Sequence, residues 1–212
     1  MAQLHSNKFN TDKHLDLWQP ESELKKQGYK TICGVDEAGR GALAGPVFAA
    51  AVILPFGTEI KGINDSKKLS ASVRDRLYDE ITNIAESFFI AKAEHDEIDE
   101  LNILGATFLA MNRAIENLFV KPDISLIDGN QNSAIKSCSK CIIGGDSKSV
   151  SIAAASILAK VSRDRYMTQM SIKFNQYAFD KHKGYGTKLH YERIREFGAC
   201  DIHRQTFLKR LH

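Results

Sequence analysis

The chain has 212 residues, of which 43% are hydrophobic and 26% charged, with a formal net charge of +3. That fits one globular domain with a helical appendage. No apolar run approaches the ~20 residues of a membrane span, and Met1 to Phe9 lack the apolar middle of a secretory signal, so a cytoplasmic protein with no membrane partner is expected.

The charge is unevenly spread. From Lys160 onward there are 12 Lys/Arg against 5 Asp/Glu, and before it 17 against 21. A basic C-terminal surface beside an acidic centre suits a metal-using nucleic-acid enzyme, although a solvated basic face has the same composition. Cys138 and Cys141 have Cys-x-x-Cys spacing, but no second pair or paired histidines complete a zinc site. Free thiols in a reducing compartment are the expectation for all four cysteines.

In chain order, residues 1–20 read as a variable polar tail, with a short helix from Glu21 to Gln27 ended by Gly28. Tyr29 to Asp36 is apolar and β-prone, a first strand. Val47 to Leu54 is a second, bounded by Pro46 and Pro55. Asn64 to Ser70 is a loop with Ser70 as N-cap, and Val73, Leu77, Ile81 and Ile84 then form a helical stripe. Ser87 to Ala93 reads as a third strand. A long helix follows from Glu97 to Phe119, with Leu101, Leu104, Phe108, Met111, Ile115 and Leu118 in its core stripe. Ile124 to Asp128 and Cys141 to Gly144 are short strands. Val150 to Phe174 is helical, with Ala154, Ile157, Leu158 and Val161 in the core and Ser156, Lys160 and Arg163 on a polar face. Asp180 to Thr187 is a loop, and helical pieces at Lys188 to Phe197 and Thr206 to Leu211 close the chain. The order predicts an α/β domain over 21–170, built on a central mixed sheet flanked by helices, with a C-terminal helical extension over 171–212 packed on it.

The chemistry gathers around Gly34-Val35-Asp36-Glu37-Ala38-Gly39-Arg40-Gly41. Asp36, Glu37 and Asp128 close predicted strands, and Asp146 follows one across two glycines. Such acids suit a hard divalent cation, and four of them at one sheet edge could hold two ions ~3.5–4 Å apart for phosphodiester cleavage. A single acid at a strand end would more simply serve a turn or a helix cap. Adjacent strand residues point to opposite faces, so Asp36 and Glu37 can share one site only if the pleat breaks at Glu37; that break is expected. Gly39-Arg40-Gly41 lacks the Gly-Lys-Ser/Thr ending of a P-loop. It offers backbone groups that could approach a sugar 2′-hydroxyl, with Arg40 for the neighbouring phosphate. Asp65-Ser66-Lys67-Lys68 and Lys148 are candidate phosphate contacts, and Tyr185, in His182-Lys183-Gly184-Tyr185-Gly186-Thr187, could stack on a base or sugar.

Together with Asp128-Gly129-Asn130, Gly145-Asp146-Ser147-Lys148, the run Ser151 to Val161 and Arg163-Asp164-Arg165, these motifs closely resemble the bacterial ribonuclease HII family, the type 2 ribonucleases H. The likeness spans Glu21 to Arg210. It implies a ribonuclease H-like fold: a five-stranded mixed sheet, three antiparallel strands first, with flanking helices. It implies cleavage on the 5′ side of ribonucleotides, in RNA–DNA hybrids and at single ribonucleotides embedded in duplex DNA, leaving 3′-hydroxyl and 5′-phosphate ends and serving ribonucleotide removal from DNA. Asp36, Glu37, Asp128 and Asp146 match the quartet that binds two divalent ions, Mg²⁺ or Mn²⁺, with substrate present. Gly39, Arg40 and Gly41 match the reader of the 2′-hydroxyl and its phosphates, and Tyr185 the residue that packs on the adjacent deoxyribose. Lys67, Lys148, Ser156 and Lys160 complete the expected substrate contacts, and a monomer is expected. Ala42 stands where the family usually has proline, and Thr206 where it usually has serine. Two other readings stay open: a non-catalytic module that coats hybrids, and a DNA nuclease or strand-transfer enzyme of the same fold.

Overall fold

Local chemistry sets the limits of each element in the computed structural model, which describes residues 16–63 and 66–209. The helices are α1 (Gln19–Lys26), α2 (Ala71–Ile84), α3 (His95–Glu116), α4 (Val150–Lys173), α5 (Phe179–His182), α6 (Lys188–Phe197) and α7 (Gln205–Leu208); the strands are β1 (Ile32–Ala38), β2 (Val47–Ile53), β3 (Ser87–Ala93), β4 (Ile124–Asp128) and β5 (Ser139–Ile142). The sheet has five strands in the order β3-β2-β1-β4-β5. β2 pairs antiparallel with both β1 and β3, whereas β4 pairs parallel with β1 and β5 parallel with β4. This is a ribonuclease H-like architecture.

The sheet is covered on both faces, as its apolar central strands require. On one face Cys33, Val35, Ala49 and Ala51 pack under Phe108, Met111 and Ile115 of α3. On the other, Ala50 and Val52 pack under Leu77 and Ile81 of α2 and Ala154, Ile157 and Leu158 of α4. Gly34 makes the second contact possible: a Cβ there would lie 2.1 Å from the Ser151 backbone, so only glycine lets the start of α4 rest on β1. α1 is tied to the same helix end, since the buried Glu21 carboxylate accepts from the Ser149 hydroxyl and the Ser151 amide. A smaller core of Met167, Phe174, Tyr177, Phe179 and Ile202 seats the C-terminal segments.

Several expectations shift. β1 begins at Ile32, because the Asp123 carboxylate takes the Lys30 and Thr31 amides at 2.8 and 2.9 Å before the ladder starts. The long helix is kinked at Asn102 (φ 60°, ψ 169°), whose side chain accepts from the amides of Leu104 and Gly105. An asparagine offering its own acceptor in place of a helical carbonyl starts a new helical segment there. The apolar stripe therefore loses its phase, and Leu101 and Leu104 are exposed. The polar face of α4 is not a solvent face, for Ser156 and Arg163 are both buried. Residues 179–182 form a single helical turn that takes up the first three residues of the expected loop. β5 starts two residues early, at Ser139. Asp65, the Lys68 side chain, the first 15 residues and the predicted helix end at Leu211 lie outside the described residues.

Candidate active site

Parallel neighbours end at the same edge of a sheet. Val35 of β1 lies opposite Ile127 of β4, and Asp128 opposite Ile142 of β5. Asp36, Asp128 and the turn after β5 that carries Asp146 therefore arrive together. One oxygen from each of the three carboxylates lies within 4.8 Å of the other two. The Gly145 amide donates to Asp128 Oδ1 at 2.7 Å and fixes the turn against the strand.

Glu37 stands outside that trio. The expected pleat break at Glu37 does not occur: β1 pairs regularly with β2 through Glu37↔Ala49 and Ala38↔Phe48. The chain turns only at Gly39, where φ is +101°. With the pleat intact, Asp36 faces α4 together with Gly34, and Glu37 faces the α3 side with Val35. The Glu37 carboxylate meets Arg40 Nη1 at 3.3 Å.

Burial pushes the Asp36 carboxyl well above the usual range, and the nearby charges of Glu37 and Asp128 push the same way; the Ser156 hydroxyl partly offsets them. Glu37 is raised as well, mainly by burial, with Arg40 opposing. Carboxylates so close and so dry repel one another until a cation joins them. An all-oxygen donor set with this repulsion fits a hard divalent ion, which Asp36, Asp128 and Asp146 could hold together.

Beside the trio lies a cleft of about 480 Å³ lined by Glu37, Gly39, Arg40, Gly41, Ser66, Lys67, Ser156, Lys160 and Tyr185. Seven of the eight expected substrate contacts share it. Lys67 Nζ also comes within 3.7 Å of the Asp146 carboxylate. Lys160 pairs with Asp164 at 2.8 Å and sits 5.8 Å from the Tyr185 ring centre. Lys148 is the exception. It is exposed, outside the cleft lining, and donates to the Ile143 carbonyl at 2.6 Å. Two residues of sequence separation from Asp146 do not carry it there, because its ammonium is held at the Ile143 carbonyl, just past the end of β5.

Beneath the loop lie two arginines that nothing in the sequence marks as buried. Arg163 and Arg204 are both fully buried. Arg204 donates to the carbonyls of Gly39, Arg40 and Gly45 at 2.8, 2.9 and 2.9 Å. Arg163 donates to those of Ala44 and Pro46 at 3.2 and 3.1 Å. A Cβ on Gly39 would lie 2.0 Å from Arg163 Nε, so the arginine and the positive φ both demand glycine. A sequence offers no sign that an arginine is buried when its partners are carbonyls more than 100 residues away.

A five-stranded mixed sheet that brings three carboxylates to one edge, beside a cleft rimmed by cations, defines a nuclease of the ribonuclease H class. The Ribonuclease HII family model matches residues 33–212. The chain is 54% identical over 196 residues to a ribonuclease HII from Caldicellulosiruptor saccharolyticus, covering 92% of this chain and 96% of that one. It is 51% identical over 189 residues to one from Burkholderia thailandensis, covering 89% and 88%. A crystal structure of ribonuclease H2 from Pyrococcus horikoshii superposes with a TM-score of 0.70 at 26% identity, covering 84% of this chain and 93% of that one. The chain belongs to the ribonuclease HII family and is a ribonuclease H endonuclease.

Proposed function

We propose that this enzyme hydrolyses the phosphodiester on the 5′ side of ribonucleotides, both in RNA–DNA hybrids and at single ribonucleotides embedded in duplex DNA, and so serves ribonucleotide removal from DNA. The observation that carries the reading is the shared cleft: Gly39-Arg40-Gly41 and Tyr185 line the same hollow as Glu37, directly beside the carboxylate trio.

Asp36, Asp128 and Asp146 are the residues that would hold divalent ions, Mg²⁺ or Mn²⁺, with Glu37 adding a carboxylate from the opposite face of the strand. Bound there, such ions supply positive charge to the scissile phosphate, lower the proton affinity of the attacking water and stabilise the departing 3′-oxygen. The protein's own groups do the rest. The Arg40 side chain is half exposed and takes a phosphate adjoining the ribonucleotide, and Lys67 and Lys160 approach others. The backbone of Gly39 and Gly41 meets the 2′-hydroxyl, which is both donor and acceptor. The Tyr185 ring packs on the neighbouring deoxyribose, held from behind by the Arg163 guanidinium 5.1 Å from its centre. Ser156 orients Asp36 through its hydroxyl, itself 2.9 Å from that of Ser66.

Product analysis on an end-labelled duplex with one ribonucleotide tests this. A nick on its 5′ side with a 3′-hydroxyl and a 5′-phosphate is expected. A nick on the 3′ side, or a cyclic phosphate product, would contradict it.

A further inference from the structure

His203 and Arg204 are consecutive residues of the C-terminal extension, and each reaches a different half of the cleft. Arg204 carries the three loop carbonyls described above, two of them those of Gly39 and Arg40. His203 acts through a second histidine. Its Nε2 lies 3.1 Å from His190 Nε2, and His190 Nδ1 lies 3.0 Å from the Tyr185 carbonyl. Only one tautomer set satisfies this chain. The Tyr185 carbonyl accepts, so His190 Nδ1 donates and its Nε2 accepts; His203 Nε2 then donates, leaving its Nδ1 to accept from the Cys200 amide at 2.9 Å. Every step is neutral and directed.

Backbone ties run in parallel. Ala42 bridges Tyr185, and Ala44 bridges His203. The Leu43 amide donates to the Gly184 carbonyl, and the Arg204 amide to the Leu43 carbonyl. The segment is in turn fixed from outside, since the Asp99 carboxylate accepts from the amides of Gln205 and Thr206 and from the Thr206 hydroxyl. None of these bonds touches Asp36, Asp128 or Asp146.

We infer that His203-Arg204 is a positioning strut: it sets the spacing between the Gly39-Arg40-Gly41 backbone and the Tyr185 backbone, and that spacing fixes how selectively the enzyme accepts a lone ribonucleotide flanked by DNA. This rests on the reading above that those two elements meet the sugars. A 2′-hydroxyl is read by backbone groups only if they are held to a fraction of an ångström, and a displacement near 1 Å at such a point lowers rate about 100-fold. A continuous hybrid presents a ribonucleotide at every register along one strand, so it tolerates a loosened reader better than a single embedded ribonucleotide does. The strut therefore acts on the ratio between the two substrates rather than on hydrolysis itself.

Arg204→Lys tests it, because lysine keeps the charge but cannot reach carbonyls on both sides of the loop. Asp99→Ala is the second variant; it loosens the same segment from the surface without opening a buried site. Each is assayed on a duplex with one embedded ribonucleotide and on a continuous hybrid, beside the thermal shift caused by Mn²⁺ alone. The strut predicts that kcat/KM on the embedded ribonucleotide falls about 10- to 100-fold for Arg204→Lys and less for Asp99→Ala, with a much smaller loss on the hybrid and an unchanged Mn²⁺ shift. Equal loss on both substrates, loss of the Mn²⁺ shift, or wild-type selectivity in Asp99→Ala when Arg204→Lys does not fold would each overturn it. Wild-type protein run alongside separates the two levels. If it cuts neither substrate, the proposed function is wrong and the strut falls with it. If it cuts both and Arg204→Lys matches it, the strut alone is wrong.

Discussion

The Gly145 amide donates to the Asp128 carboxylate at 2.7 Å, joining residues 17 apart in sequence. One bond thus sets the distance between the acid that ends β4 and the acid that follows Gly145. Asparagine at 128 keeps an oxygen acceptor for that bond and removes one negative charge.

Asp128→Asn and Asp146→Asn are therefore expected to fold and to bind duplex with wild-type affinity, while turnover drops by about 100-fold or more. Asp36 is raised by burial and by the Glu37 and Asp128 charges, so Asp128→Asn should also melt higher than wild type without divalent ions. It should gain less from adding them. Wild-type turnover in either variant would remove that acid from the reaction.

Arg40 meets the largely buried Glu37 carboxylate from a half-exposed position, a pair open to solvent on the arginine side and worth about 1 kcal/mol to stability. Arg40→Ala should leave the melting temperature nearly unchanged. Tyr185 lends its backbone carbonyl, not its ring, to His190, so Tyr185→Ala keeps that tie. Both variants should lose about 10- to 100-fold in cleavage at an embedded ribonucleotide. Full activity in both, measured under subsaturating substrate, would refute the junction-reading role.

Acid should destabilise the C-terminal segment. His190 and His203 are drawn from 6.5 down to about 4, first by burial and then by the other histidines around them. Their unfolded forms bind protons below about 6.5 and their folded forms resist until about 4. Stability from these groups is thus complete above pH 6.5 and drains away as pH falls toward 4. Asp36 and Glu37 have raised pKa values and the opposite sign, so the comparison of interest is between proteins. His190→Gln should show a shallower decline in melting temperature between pH 6.5 and 4.5 than wild type. An equally steep decline would place the linkage elsewhere.

Much of this is legible in the sequence because it is local. Ser87 to Ala93 is a strand by composition, Pro46 delimits β2, and Ser70 caps α2, its side chain accepting from the Val73 amide. Acids at strand ends are readable for the same reason, since parallel strands bring their C-terminal ends to one edge. What is not legible depends on distant partners. Asn102 breaks α3 with a side-chain cap that an apolar stripe conceals. Glu37 stays in the pleat because β2 continues to pair with it, whereas the sequence suggests that the acids need the strand to stop. Arg163 and Arg204 resemble surface cations, and only the fold shows the carbonyls they hold.

This site is expected to cut nucleic acid where it finds a 2′-hydroxyl. The most direct test incubates the enzyme and Mg²⁺ or Mn²⁺ with a DNA duplex carrying one ribonucleotide, beside an all-DNA duplex of the same sequence. Cleavage of the first alone, at a single position, is the expected result. Cleavage of both would mean a DNA nuclease, and cleavage of neither, with binding retained, a hybrid-coating module; either result would contradict it.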